Sequence, residues 1–331
     1  MPARQISSLF SIHVNDGHEI PVRAWPVSGK TAVKGVIHIS HGMAEHSMRY
    51  ASTAKLLNKA GFHVYAHDHR GHGLNCETST PGFYAETDGW KKVTEDLAAV
   101  QKHIESQHPE LPRFLLGHSM GSFITMGYLT TQPSNLQGVI LSGSNYDPTA
   151  KYHALRPILK AEKIRIGSKG RSPIVEMLTF GSFNKPYEPS ESKFEWLSRL
   201  KDTVTQYEND PYCGFFSTNQ LWEDLINGLI STYSNNGLAR IPSDLPIYLF
   251  AGDKDPVGDM GKGVVRLTKQ LLNTGHTDIA MKLYPNGRHE MLNETNADIV
   301  VSDLVAWLKQ KAGVAMPTSQ QQNENSVSVA Q

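Results

Sequence analysis

Apolar residues along the chain fall into two rhythms. Short, dense runs at 36–39, 62–66, 114–116, 139–141, 246–250 and 280–284 have the length and composition of buried strands. Between them, apolar residues recur every three or four positions, as with Val93, Leu97, Val100 and Ile104, or Val300, Leu304, Trp307 and Leu308. That spacing predicts helices over 50–59, 90–107, 120–129, 264–272 and around 300–308, with Gly61 and Gly275 closing two of them. Two β-like runs within 5–26 flank the turn signal Asn15-Asp16-Gly17 and read as a hairpin. Strands alternating with helices imply βαβ units, hence an α/β fold with a mostly parallel central sheet flanked by helices.

The alternation stops after Ser144 and resumes at Pro246. Residues 145–243 lack a buried-strand run and carry several prolines, with aromatics scattered among charges, so they read as an insertion. Residues 313–331 are rich in Gln, Asn and Ser, the composition of an unstructured tail. The expected organisation is a core split into 1–144 and 244–312, an insertion at 145–243 and a disordered C-terminal tail at 313–331.

Composition narrows the function classes. The 331 residues are 39% hydrophobic and 19% charged, an ordinary globular balance. Lys plus Arg equals Asp plus Glu at 32 each, so no global field attracts nucleic acid, and no nucleic-acid partner is expected. Two cysteines, Cys76 and Cys213, are too few for a disulfide framework and badly spaced for a zinc site. No window approaches the roughly 18 apolar residues of a membrane span. The N-terminal stretch lacks the apolar core of a secretory signal, and the expected location is cytoplasmic. Histidine is the one excess, at 15 residues.

The run 114–116 leads into Gly117-His118-Ser119-Met120-Gly121, a G-x-S-x-G pattern between a predicted strand and a predicted helix. In that setting it is a nucleophile elbow: a sharp turn lifts the serine hydroxyl clear of the backbone, and the glycines avoid collisions. The helix N-terminus behind Ser119 offers positive potential and free N–H groups to a developing oxyanion. A serine nucleophile needs a base, and the base an orienting carboxylate, both on loops after later strands. The loop after 246–250 offers Asp253 and Asp255, and the loop after 280–284 offers His289 as general base. His276 instead falls at a predicted helix end, a position suited to a C-terminal charge. The oxyanion hole would use the amide of Met120 and one from the loop 41–46, where Met43 is the second donor.

The stretches HGMAEHSMRY (41–50), DHRGHGLN (68–75), GHSMG (117–121), GDKD (252–255) and GRHE (287–290) occur in this order across 30–145 and 244–312. In them the chain resembles the α/β-hydrolase family of monoacylglycerol lipases and lysophospholipases, sometimes labelled serine aminopeptidase-like. The resemblance implies an α/β-hydrolase fold, a Ser119–Asp255–His289 triad that prefers Asp255 to Asp253, and a mainly helical, lid-like cap over the serine. It also places Glu45, His46, Arg49, Asp68, Arg70 and His72 in a polar network holding the two loops, as support rather than chemistry. Ser122 stands where the family often has glycine, and Asn75 where serine is common; both positions bear on the pocket floor. The implied activity is hydrolysis of a modest-sized carboxylic ester, monoacylglycerol- or lysophospholipid-like, through an acyl-enzyme and without metal or organic cofactor. An aminopeptidase or amidase on the same triad would need an acidic cluster to hold a substrate amine.

Within the insertion, Phe183, Trp196, Tyr212, Phe216 and Trp222 are candidates to line an acyl- or aryl-accepting pocket, against plain packing of a small core. Residues 151–171 carry Lys151, Arg156, Lys160, Lys163, Arg165, Lys169 and Arg171 against Glu162 alone, seven minus one or +6. The segment is either a basic amphipathic surface in peripheral contact with anionic lipid or a solvated face balanced by acids elsewhere. His67, Asp68, His69 and His72, with His38, His41 and His46 nearby, superficially have metal-ligand spacing. No later Asp/His pair completes a dinuclear set, so no metal is expected. A non-catalytic binding protein on the same scaffold would lack a triad member, and all three positions are filled.

Overall fold

The computed structural model describes residues 7–132 and 135–313, so the expected tail lies outside the described residues apart from Gly313. The predicted runs become eight strands: β1 (Ser8–His13), β2 (Glu19–Trp25), β3 (Gly35–Ser40), β4 (Phe62–His67), β5 (Arg113–His118), β6 (Gly138–Ser142), β7 (Ile247–Gly252) and β8 (Ile279–Tyr284). They form one sheet in the order β1-β2-β4-β3-β5-β6-β7-β8. The hairpin β1–β2 and the β2–β4 pair are antiparallel, and every pairing from β4 to β8 is parallel. Strands β3, β5, β6 and β7 are buried at every residue, as parallel strands covered on both faces must be.

Helices α1 (Ala51–Lys59), α2 (Gly89–Gln107), α3 (Met120–Thr131), α9 (Lys262–Asn273) and α10 (Ala297–Lys311) match the predicted periodicities. The period-two alternation of the strands sorts side chains between two layers. Phe114, Leu116, Ile140 and Phe250 pack with Leu57 of α1 and Leu304 of α10. Leu115, Val139, Leu141 and Leu249 pack on the opposite face with Leu97 of α2, Ile124 of α3 and Leu267 of α9. His276, past the end of α9, hydrogen-bonds Leu271 O at 3.0 Å while burial lowers its proton affinity. It therefore caps the helix as a neutral donor, not as the charge its position implied.

Between β6 and β7 the chain is helical: α4 (Thr149–Ile166), α5 (Pro173–Thr179), α6 (Lys201–Asn209), α7 (Asn219–Thr232) and α8 (Asn235–Leu238). Parallel strands need a crossover, and α7 serves as one. Its Leu221, Leu225 and Leu229 join the same core as Leu97 and Ile124. Three helices close around Trp90 of α2, because Gly127 of α3 and Gly228 of α7 leave room for its indole. A Cβ at 228 would lie 2.1 Å from the ring, and one at 127 would lie 2.6 Å from it. The Gly228→Ala variant is therefore expected to lose about 1–3 kcal/mol through overpacking. Urea unfolding checks this as a lowered midpoint at constant slope; an unchanged midpoint would contradict the packing described.

Candidate active site

The carboxyl-terminal ends of β3, β5, β7 and β8 lie along one edge of the sheet, and the loops leaving them converge there. Ser119 occupies the turn from β5 into α3 with φ 51° and ψ −122°, outside the usual regions for a residue bearing a Cβ. Such a conformation costs of order 1–3 kcal/mol and persists only where its surroundings impose it. They do: the Ser119 amide donates to Ser142 O at 2.9 Å, and its carbonyl accepts from Ser122 N at 2.8 Å. A Cβ on Gly121 would fall 2.1 Å from Ser40 O, and one on Gly117 would fall 2.6 Å from Gly121 O. At Ser122 the departure from glycine adds a strut, since its hydroxyl also donates to Ser119 O at 2.6 Å.

His289 and Asp255 meet as the chain order anticipates. His289 Nδ1 lies 2.9 Å from Asp255 Oδ2, while Asp255 Oδ1 accepts the Val257 amide at 2.9 Å. Asp255 is fully buried. Asp253 has a different task, accepting the Asn286 amide at 2.7 Å and so tying the loop after β7 to the loop after β8. Burial is the largest influence on His289 and opposes its charge, yet the Asp255 carboxylate outweighs it and raises the imidazole above its ordinary value of 6.5. The ring packs against Trp196 and His118, at centroid distances of 5.2 Å and 4.8 Å. Backbone bonds from His289 N to Trp196 O (3.2 Å) and Glu290 N to Leu197 O (2.8 Å) lay the inserted chain along the histidine loop.

The loop after β3 is oriented by a histidine tautomer. The His69 amide donates to His41 Nε2 at 3.0 Å, so that nitrogen carries no proton. Neutral His41 then bears its hydrogen on Nδ1 and donates to Gly42 O at 2.7 Å. This bond turns the Gly42–Met43 peptide so that the Met43 N–H points the opposite way. A Cβ on Gly42 would lie 3.3 Å from Ser119 Cβ, which shows how closely this loop passes the serine. Met120 heads α3, so its amide has no intrahelical acceptor.

Glu45 accepts the Gly42 amide at 2.5 Å and the Tyr50 hydroxyl at 2.9 Å through one oxygen, and Arg49 at 2.9 Å through the other. Arg49 also forms a fork to Glu290 at 2.6 Å and 2.7 Å. Burial resists the Glu45 charge, but the Arg49 guanidinium prevails and holds its carboxyl at about 2. Sequence reasoning gave Glu290 no role. Its signal was a carboxylate directly after His289, with a buried arginine elsewhere left to pair.

The remaining network residues do not all hold the same two loops. Asp68 does, accepting the Ser47 amide at 2.8 Å and the Leu74 amide at 3.0 Å. His46 instead reaches into the insertion, its Nε2 2.9 Å from Asp210 Oδ2. Arg70 points away to Asp96 of α2 and to Asp16 in the β1–β2 turn, because a long guanidinium finds its carboxylates there. His72 accepts no such partner and sits by its own loop, Nδ1 2.9 Å from Arg70 O.

Two chambers meet at Ser119, Met43 and Phe180. One, of about 380 Å³, runs past His289, Trp196, Leu197 and Phe216. The other, of about 480 Å³, is walled by Phe123, Tyr152, Phe183, Trp222 and Ile226. Phe183, Trp196, Phe216 and Trp222 are thus brought together, and Phe180, Phe123 and Tyr207 join them. Tyr212 is the exception: the turn at 210–214 aims it into a separate cleft, where its hydroxyl donates to Glu77 at 2.6 Å. Of the seven cations in 151–171, Lys151, Lys163, Arg165 and Lys169 are in ion pairs and Arg171 donates to Pro81 O.

All of the histidines with metal-like spacing except His46 stack into one buried row. Gln101 Nε2 donates to His38 Nδ1 at 3.1 Å, and His38 Nε2 in turn donates to His67 Nδ1 at 2.8 Å. His69 Nε2 lies 3.2 Å from both Ser40 Oγ and His41 O. His67 Nε2, His69 Nδ1 and His72 Nε2 are buried with no hydrogen-bond partner among the described residues. Burial lowers the proton affinity of the whole row, to about 3 for His38 and His72, and to about 4 for neighbouring His118. The unfolded chain protonates these rings near 6.5, while the fold keeps them neutral to lower pH. Stability is thus complete above 6.5 and falls as pH drops toward the folded values. His289 has the opposite sign and loses its contribution as pH rises. Lowering the pH from 6.5 to 5 is therefore expected to destabilise the fold. Urea midpoints measured at both pH values check this, and equal midpoints would contradict it.

The Hydrolase_4 family, described as serine aminopeptidase, S33, matches residues 31–296. The monoacylglycerol lipase of Mycolicibacterium smegmatis is 28% identical, covering 84% of this chain and 89% of its own. The monoglyceride lipase of Rattus norvegicus is 25% identical over 91% of this chain and 90% of its own. Among solved structures, a highly thermostable carboxyl esterase from Bacillus coagulans, in complex with glycerol, superposes with a TM-score of 0.83 at 29% identity, over 92% of this chain and 99% of that one. An eight-stranded sheet with a strained serine elbow, matched along most of its length, belongs to the serine aminopeptidase S33 family of α/β-hydrolases.

Proposed function

We infer that Ser119, His289 and Asp255 carry the chemistry of this carboxylic ester hydrolase. Ser119 attacks the ester carbonyl while His289 takes its proton, and Asp255 fixes the imidazole tautomer and stabilises the imidazolium. The amides of Met43 and Met120 receive the oxyanion. His289 then protonates the leaving alcohol and activates the water that releases the acyl group. No metal or organic cofactor enters these steps. The observation that carries the reading is the buried His289–Asp255 hydrogen bond of 2.9 Å beside a serine held at positive φ.

The substrate proposed is a modest-sized ester, monoacylglycerol- or lysophospholipid-like, with its acyl chain in the apolar chamber of Phe123, Trp222 and Ile226. The names of the lipase relatives support that class. Helices α4–α6 and the turns between them act as the cap. The Ser119→Ala variant is expected to lose activity on p-nitrophenyl butyrate by about a thousandfold or more with its circular dichroism unchanged. Because the base must be neutral, kcat/KM should rise with pH through an ionisation above 6.5, where Asp255 has raised His289. Undiminished turnover in the variant, or a flat profile from pH 5 to 8, would refute the assignment.

We also propose peripheral contact with anionic lipid through 151–171. Ile158 and Ile164 are exposed on α4, and Arg156 and Lys160 have no ion-pair partner among the described residues. No helix among the described residues is long and apolar enough to cross a membrane. Two unpaired cations are expected to favour phosphatidylserine-containing vesicles over neutral ones by about tenfold in co-sedimentation. Equal binding to both would defeat the proposal.

A further inference from the structure

Among the described residues, one trio of metal-ligating side chains converges. A ring nitrogen of His46, a carboxylate oxygen of Asp210 and Cys213 Sγ all lie within 4.8 Å of one another. The set joins a nitrogen, an oxygen and a sulfur ligand, a mixture that suits Zn2+. Sequence spacing conceals it, because 164 residues separate His46 from Asp210. The fold supplies the proximity by laying the turn after α6 against the loop after β3, where Gly214 N donates to Ala44 O at 3.0 Å.

The turn is ordered before any ligand arrives. Cys213 N donates to Asp210 O at 3.0 Å, and the Tyr212 amide occupies Asp210 Oδ1 at 2.9 Å. Asp210 Oδ2 is left to face His46 Nε2, also at 2.9 Å. Among the described residues no hydrogen bond or ion pair engages Cys213 Sγ. Ligand atoms around a tetrahedral zinc stand about 3.3–3.8 Å apart, given bonds of about 2.0–2.3 Å. The separations present bracket that range, so a shift of about 1 Å completes the set. Charge favours a cation here: Asp210, Glu45 and Glu290 act on Cys213 against Arg49 alone. Burial pushes the Cys213 thiol up and these carboxylates add to it, whereas a bound dication offsets both and takes the thiolate. His46, Asp210 and Tyr212 also line a cleft of about 700 Å³, an entry path that brings water as a fourth ligand.

We propose that His46 Nε2, Asp210 Oδ2 and Cys213 Sγ form a Zn2+ site that cross-links the loop after β3 to the inserted helices. Binding replaces the His46–Asp210 hydrogen bond. Neutral His46 keeps its proton on Nδ1, and Cys213 gives its proton to solvent. The metal takes no part in the serine chemistry. It braces the turn that continues into Gly214, Phe215 and Phe216 of the chamber wall.

The test is equilibrium dialysis of the tag-free full chain against zinc chloride under reducing conditions, with the melting temperature and Co2+ absorbance as further readouts. The wild type is expected to bind one Zn2+, and C213S and D210N each to weaken that binding by about a hundredfold. Saturating Zn2+ should raise the wild-type melting temperature by about 3 °C or more and leave C213S unmoved. Co2+ in place of Zn2+ should give a thiolate-to-metal charge-transfer band in the wild type that C213S lacks. The C76S variant should match the wild type throughout, since Cys76 Sγ lies on another loop and donates to Gly71 O. A wild type that retains no Zn2+ would overturn the proposal. So would undiminished binding in C213S and D210N, or loss of the cobalt band in C76S. Should circular dichroism show C213S unfolded, Zn2+ affinity in D210N and the wild-type cobalt band decide the matter.

Discussion

Arg49 joins the two halves of the site. Its guanidinium sits between Glu45, beside the loop that passes Ser119, and Glu290, which follows His289 directly. The two glutamates are separated by most of the chain, and only the fold brings their charges to one cation. Both carboxylates are almost wholly buried, so each would be strongly unfavourable alone; losing one member of such a set typically costs 3–5 kcal/mol. The guanidinium also lies 4.8 Å over the ring of Tyr207, which adds α6 to the joint. The loop after β3, the loop after β8 and the inserted helices are thereby referenced to one point. Positions required to fractions of an ångström are set in this way, by packing around a fixed charge and not by the loops themselves.

The strained serine turn depends on the same economy of space. Ser119 keeps its conformation because the Gly121 backbone passes against Ser40 O and His41 O without a side chain between them. His41 then carries the constraint outward, receiving a proton bond from His69 and giving one to Gly42. The histidine excess has a physical account in this light. A neutral imidazole is both donor and acceptor, so a row of them transmits orientation through a buried region where charged groups would be costly. The same row makes the centre of the sheet sensitive to acid.

Much of this was legible in the sequence. Strands β3 to β8 are short apolar runs, and their order with the helices leaves little freedom of topology. Ser119, His289 and the pair of aspartates follow from loop order, and the following Pro256 marks the tight turn in which Asp255 accepts the Val257 amide. What escaped was whatever depends on direction or distance in space. Tyr212 resembles the pocket aromatics by composition and points elsewhere, because one turn decides its aim. Arg70 and His46 sit in motif positions yet serve Asp96 and Asp210, partners that no local pattern reveals. Glu290 was invisible for the same reason. Helix α7 reads as insertion by its place in the chain and belongs to the core by its packing.

The anchoring of the inserted chain limits how the site opens. Helix α7 is built into the core, and its first turn holds the α4–α5 loop through bonds to Ser168 O and Gly170 O. Residues 196–197 lie along the histidine loop, and Gly214 donates to Ala44 O. Helix α5 is held at its start, where Ser172 Oγ bonds Glu162, and is lightly packed beyond it. Ile174, Met177 and Leu178 are 44%, 64% and 48% exposed, and only Val175 on that helix is buried. Displacing it uncovers one valine side chain, about 1.5–3 kcal/mol. The chamber wall that α5 forms is thus held by far less buried apolar surface than the sheet, the serine turn and the histidine loop around it.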